Sequence, residues 1–309
     1  MRYEVIVVGS VNADYVLALD RRPVGGETLM ATADMVVSQG GKGANQAAAA
    51  SRAGARSALI GAIGDDLAGT EQLKALRQAG VETRMVKVVQ GCSTGTAVVM
   101  VTPDGENSIV VAPGANGHLD PQWVQDALER LAVGALVVLQ TESPAALIDA
   151  AAATCRAIGA RVLINNGPWM SLRRSTLKLA DPLVVNEHEA HDACEEQAGG
   201  TATPQLAQAV RLRTGAASVL VTLGAAGVLV SDSMNELSIP ASKPTAVVDT
   251  TGAGDAFIGS LAALLAQGRP LVEAAKGATI AAAKAVEWSG ARPPQEGTGQ
   301  ASKSDITGS

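Results

Sequence analysis

Short apolar runs rich in valine and isoleucine alternate along most of this chain with longer stretches of helical character. Residues 5–8, 57–63, 135–139, 161–164, 183–185 and 219–222 are such runs, each closed by glycine or polar residues, and each reads as a buried strand. Helix patterns lie between them. One is the alanine-rich 47–53, stopped at Gly54, and one follows Asp65-Asp66 and ends near Gly80. Others start at Asp120-Pro121 and Glu142-Ser143-Pro144, and two more cover about 256–267 and 271–288. Asp65 and Asp66 read as a cap and a first-turn acid. The alternation predicts an α/β fold, a mostly parallel sheet with helices on both faces. Polar residues collect just past the strands, at the sheet end where such folds place ligands: Asn12, Asp14, Glu142, Asn165-Asn166 and Asn186 to Glu189.

Three stretches break the rhythm. Residues 96–101 and 108–111, joined through Pro103-Asp104-Gly105-Glu106, read as a hairpin. With short strands at 16–19 and 30–37 they are expected to make a small second sheet, which needs a surface to pack on, such as a partner subunit. Residues 295–309 are polar and rich in Gly and Ser, and are expected to form a disordered tail. The third stretch is Asp249-Thr250-Thr251-Gly252-Ala253-Gly254-Asp255. The apolar run 246–248 before it reads as a buried strand and a helix pattern follows it, so two glycines and a carboxylate sit at a strand-to-helix junction. Backbone N–H groups at a helix start bind anions, and Asp255 would then be a base beside a phosphate. The same spacing equally describes a capped turn.

Composition narrows the partners. The chain has 309 residues, 47% hydrophobic, enough for one large core. A net charge of −6 and six aromatic residues argue against nucleic acid, which needs a basic face or a stacking platform. No run approaches the roughly 18 apolar residues of a membrane span, and no secretion signal is expected ahead of the first strand. Cys92, Cys155 and Cys194 lie far apart, and His188 and His191 flank Glu189 without the spacing of a zinc motif. A cytoplasmic protein without a metal cluster is the expectation.

Two further glycine-rich stretches border the expected site. Gly9-Ser10-Val11-Asn12-Ala13-Asp14 lacks the dinucleotide fingerprint, and Gly40-Gly41-Lys42-Gly43-Ala44-Asn45-Gln46 is not a P-loop, because Gly43 follows the lysine. Both place amides, a lysine and a carboxylate where a polar ligand would sit, although Asn12 and Asp14 also suit a plain turn.

Taken together and in order, these motifs, with Gly61-Ala62-Ile63-Gly64-Asp65, Glu142-Ser143-Pro144, Asn186-Glu187-His188-Glu189 and Thr222-Leu223-Gly224, resemble the ribokinase branch of the phosphofructokinase-B-type carbohydrate kinases over residues 1 to about 294. The resemblance implies a ribokinase-like three-layer sandwich as one kinase domain, 1–294. It also implies a discontinuous β-lid from about 13–40 and 92–112, and a homodimer through that lid. It implies ATP-dependent phosphorylation of a sugar, D-ribose at O5, with deoxyribose, fructose or a nucleoside as alternative acceptors and a non-catalytic sensor as the alternative to an enzyme. Asp255 matches the general base, with Gly252, Ala253 and Gly254 as the anion hole. Asn12, Asp14, Gly41, Lys42, Asn45 and Glu142 match sugar contacts. Asn186, Thr222, Gly224, Gly227, Gly254 and Thr279 match nucleotide positions, and Glu189 a magnesium position acting through water. Asp249, Thr251 and Gly290 match a potassium site. Three places depart from the family pattern: Pro294 stands where a serine is usual, Asn166-Gly167 interrupts an Asn-Pro-x-Pro pattern, and Thr279 replaces a His or Asn.

Overall fold

The computed structural model of the chain describes residues 2–103, 107–195 and 203–293. Pro294, the expected tail at 295–309 and the hairpin turn at 104–106 lie outside them. The strands in chain order are β1 (Val5–Val8), β2 (Asn12–Ala18), β3 (Val36–Gly40), β4 (Ser57–Gly64), β5 (Val86–Val89), β6 (Gly95–Val101), β7 (Asn107–Ala112), β8 (Leu136–Gln140), β9 (Arg161–Asn165), β10 (Ala180–Asn186), β11 (Val219–Thr222), β12 (Val228–Ser231) and β13 (Glu236–Ile239). The helices are α1 (Lys42–Arg52), α2 (Leu67–Gln78), α3 (Pro121–Leu131), α4 (Ala145–Ala157), α5 (Arg174–Leu177), α6 (Glu187–Cys194), α7 (Pro204–Thr214), α8 (Ala253–Ala266) and α9 (Leu271–Ala285).

Nine strands form the central sheet, in the order β13-β12-β11-β10-β9-β8-β1-β4-β5. Pairing is parallel from β5 to β11, and β12 and β13 add antiparallel at one edge. The period-2 alternation of strands divides the core in two. Val5 and Val7 of β1 join the residues of α1, α8 and α9 on one face, and Ile6 and Val8 join those of α3, α4, α6 and α7 on the other. Such double burial explains why these strands read as unbroken apolar runs.

A second sheet of four strands, β3-β2-β6-β7, draws on two separate parts of the chain. Here β2 pairs antiparallel with β3 and parallel with β6, and β6 pairs antiparallel with β7. Residues 30–35 are irregular, and β2 begins at Asn12. Asn12 and Asp14 therefore stand on a strand of the small sheet and not in a turn.

Two other expectations change. Residues 246–248 form no strand: Val247 is 66% exposed, and the segment is tied down by hydrogen bonds from the N–H groups of Val248 and Asp249 to the carbonyl of Val286. Three apolar residues carry no period, and burial was inferred where there is none. Asp66 does cap α2, accepting from Gly69 N at 2.8 Å, but Asp65 lies outside the helix and accepts from Gly91 N.

One packing detail positions the site. Helices α1 and α8 meet through small residues: a Cβ at Gly259 would lie 2.4 Å from the carbonyl of Gln46 and 2.5 Å from the Ala49 side chain. Close approach at this crossing brings the first turn of α8 against the first turns of α1.

Candidate active site

Asp255 lies in the first turn of α8, 9% exposed. Its Oδ2 accepts from the Asn45 amide at 3.0 Å and its Oδ1 from the Gln46 amide at 2.9 Å. The Gln46 amide also donates to Asn165 Oδ1 at 3.0 Å, at the end of β9. A carboxylate so held has fixed orientation and still lies at an open helix end. Gly252 caps α8 at φ 78°, a left-handed conformation open mainly to glycine, and a Cβ there would come within 2.5 Å of Ala291. Thr251 N is engaged with Asp249 and Ala253 N with the carbonyl of Thr250. The free part of the cradle is thus narrower than the sequence implied. The N–H groups of Gly252 and Gly254 take no partner among the described residues, and a Cβ at Gly254 would meet open space. An anion fits there.

The sugar-side residues converge on the same place. Asn12 and Asp14 project from one face of β2. Asn12 is buried, its Oδ1 accepting from Asn116 Nδ2 at 2.8 Å. Asp14 lies against Gly40, where a Cβ would collide with its carboxylate, and its Oδ1 is buried with no hydrogen-bond donor among the described residues. Burial, reinforced by Glu142, pushes Asp14 up to about 6, against the pull of Arg292. Glu142 takes hydrogen bonds from the Ser10 hydroxyl and from Lys42 N. Gly41 caps α1, and Lys42 begins it. Burial works against the charge on Lys42, yet Asp255, Glu142 and Glu189 outweigh it and raise its pKa. Lys42 therefore lies within electrostatic reach of Asp255, Glu142 and Glu189 together.

On that side, Asn186 and Thr222 are register partners at the ends of β10 and β11. Asn186 and Glu189 form a capping box at α6: Glu189 Oε2 accepts from Asn186 N at 2.7 Å, and Asn186 Oδ1 accepts from Glu189 N at 2.8 Å. The other oxygen, Oε1, faces Gly167, which has no side chain to obstruct it. Burial raises Glu189, and a bound cation would oppose that shift, so the residue suits a magnesium reached through water. Gly224 borders open space, while a Cβ at Gly227 would strike the carbonyl of Ile239, so Gly227 serves the turn into β12 first. Thr279 Oγ1 donates to the Lys276 carbonyl and pairs with Ser242 Oγ; no hydrogen bond among the described residues joins it to Thr222 or Gly224.

Asp249, Thr251 and Gly290 do come together. Asp249 Oδ1 accepts from Thr251 N and Oγ1 at 3.0 and 2.7 Å, and its Oδ2 from Gly290 N at 3.0 Å. Direct hydrogen bonds already close this loop, and Gly290 turns its N–H rather than an oxygen toward the carboxylate.

Asn116 and Arg292 escaped the sequence reading, while Ser10, Gln46 and Asn165 lay in stretches singled out there without a role of their own. Gln46 holds Asp255 and is itself tied to Asn165, Ser10 and Asn116 hold Glu142 and Asn12, and Arg292 is buried beside Asp14. Burial lowers the Arg292 guanidinium to about 10, with Asp14 and Asp255 opposing, so it stays charged at neutral pH. Gln46 lay within a motif already singled out. Arg292 and Asn116 carry no local signal, since long-range packing alone brings them here.

Residues 2–297 match the sequence profile described as pfkB family carbohydrate kinase. The chain is 36% identical over 282 residues to the ribokinase of Bacillus subtilis, covering 91% of this chain and 92% of the relative. It is 32% identical over 290 residues to the deoxyribokinase of Salmonella typhi, covering 93% and 94%. Among solved structures, it is similar to that of the Arabidopsis thaliana ribokinase complexed with ribose and ATP, with a TM-score of 0.81 and 30% identity over 99% of this chain and 98% of that one.

Proposed function

The chain belongs to the pfkB family of carbohydrate kinases, and we propose that it uses ATP to phosphorylate D-ribose at O5, giving D-ribose 5-phosphate. The observation that carries this reading is the base. Asp255 is held by two amides, beside unpartnered N–H groups at a helix start and opposite a buried carboxylate oxygen, that of Asp14, which lacks a donor. Sugar hydroxyls supply such donors. With Asp14 and Asn12 holding the sugar, Asp255 takes the proton of the acceptor hydroxyl as its bond to phosphorus forms. The N–H groups of Gly252 and Gly254 meet the charge on the transferring phosphoryl oxygens. Lys42, facing Asp255, Glu142 and Glu189, adds a fixed positive charge between the two substrates. Glu189 and Asn186 would hold a magnesium ion, which would supply further neutralisation of phosphate charge when bound. Glycine at 224 leaves the nucleotide room near the backbone.

Residues 1–294 are read as one kinase domain whose small sheet is a lid over the sugar. Opposed residues share a face, so Asp14, Ala97 and Val111 line one side of that sheet, with Val16, Val99 and Ile109 next along it. Val37, Tyr15, Val98 and Val110 form an apolar row across the other. Closing the inner face on the sugar excludes water as a competing acceptor. The outer row supports a homodimer. Among the described residues no helix is long and apolar enough to cross a membrane, and the reading is of a cytoplasmic enzyme.

The test is turnover of purified protein with ATP, magnesium and a panel of sugars and nucleosides. Phosphorylation of D-ribose is expected, and activity with another acceptor but none with ribose would overturn the substrate. Asp255→Asn should keep ribose binding by calorimetry and lower kcat by roughly a hundredfold or more; surviving turnover would remove Asp255 from the role of base.

A further inference from the structure

Arg292 follows α9 on the loop that carries Gly290, and it is 8% exposed. A buried cation costs much more than a buried apolar side chain unless every donor is answered. Here the donors reach three places. Nε donates to Asn45 Oδ1 at 2.8 Å, one terminal nitrogen to the carbonyl of Gly40 at 3.1 Å, and the other to Gln39 Oε1 at 3.4 Å. Gln39 and Gly40 end β3, at the root of the small sheet. Asn45 belongs to α1, and its amide holds Oδ2 of Asp255. The base is thus gripped from two sides. Gln46, also on α1, donates to Oδ1 and is itself tied to Asn165 at the end of β9 in the central sheet. Asn45 and Arg292 connect Oδ2 to the small sheet.

Resting on the kinase reading above, we infer that Arg292 is a positioning residue for phosphoryl transfer, one that fixes Asn45, and through it Asp255, according to where the root of the lid lies. Only a planar fork spans Asn45 and Gly40 together. A lysine ammonium reaches one of them and leaves the other unpaired. The Asn45 amide then loses its orientation, and with it one of the two hydrogen bonds on Asp255.

The experiment compares wild type, Arg292→Lys, Asn45→Ala and the double variant with ATP and the best acceptor, each assayed well below its own Tm. Arg292→Lys should lower kcat about ten- to hundredfold while the KM for ATP stays within about twofold, the scale expected for a misplaced catalytic group. The double variant should be no slower than the slower single, because both changes break one chain. A merely structural arginine would lower Tm and leave kcat alone. A folded Arg292→Lys with wild-type kcat, or losses that multiply in the double variant, would overturn the role of Arg292. Arg292→Gln provides the same comparison should the lysine variant not fold. Absence of transfer by wild type to any acceptor overturns the kinase reading itself, a separate outcome.

Discussion

Asp14 shows how one residue sets binding and stability against each other. Its carboxyl sits at about 6, up from an ordinary 3.8, mainly because it is buried. A folded-state pKa above the unfolded one means that the folded protein holds the proton more tightly. The ionised form therefore costs stability, beginning above pH 3.8 and complete above about 6. Asp14→Asn should stabilise the fold at pH 7.5 by on the order of 2 kcal/mol, seen as a higher Tm, while raising the KM for the sugar. A variant no more stable than wild type at that pH, though folded, would contradict the burial of charge at this position. In the wild type, the KM for sugar should climb as pH falls below about 6, because protonation removes one acceptor, and a flat profile from pH 5 to 8 would count against Asp14 as a sugar ligand.

At the scale of elements, the start of α8 carries the tightest constraint. Gly252 needs both a left-handed backbone and the space that Ala291 leaves it. Gly252→Ala should cost about 1–3 kcal/mol and lower kcat at temperatures where the variant is folded, because the N–H groups move with the cap; thermal melts paired with steady-state rates check both. The neighbouring loop leads to a second expectation. Both carboxylate oxygens of Asp249 accept hydrogen bonds, from Thr251 and Gly290, and Pro294 stands where a serine is usual in the family pattern. Potassium should therefore activate weakly compared with an isosmotic choline control, and activation saturating at low millimolar potassium would refute this.

These elements also show what was legible beforehand. The doubly buried strands β1, β4, β8 and β11 were readable because burial on both faces leaves an uninterrupted apolar run. The edge strands β5 and β13 are only four residues long and partly exposed, too short for a period to stand out. Residues 246–248 misled for the converse reason, being apolar yet held on the surface by backbone hydrogen bonds. Within the site, glycine motifs identified Asp255 and its cradle, since glycine marks places where backbone geometry matters. Arg292 stayed hidden because its three partners lie some 250 positions away in the chain.

For the whole molecule, the row of Val37, Tyr15, Val98 and Val110 predicts association. Val110 is 61% exposed on the edge strand β7, and Val37 is 53% exposed on the opposite edge. Light scattering after gel filtration should give a dimer for wild type and a smaller species for Val110→Lys; an unaltered mass in that variant would place any interface elsewhere. Ribose KM should rise in the monomer if the second copy steadies the lid.

The position of β1 in the sheet has a consequence for how the protein is made. Val5–Val8 precedes both of its sheet neighbours, β4 and β8, in the chain, and it is wholly apolar. Leu136, the partner of Val5, is synthesised on the order of ten seconds later at ordinary elongation rates. Until then β1 can pair with β4 on one side only, so the central sheet cannot close across β1 before β8 is made. Ribosome-bound chains stalled before residue 136 should be cut readily by protease within residues 5–8, and chains stalled well beyond 140 should resist.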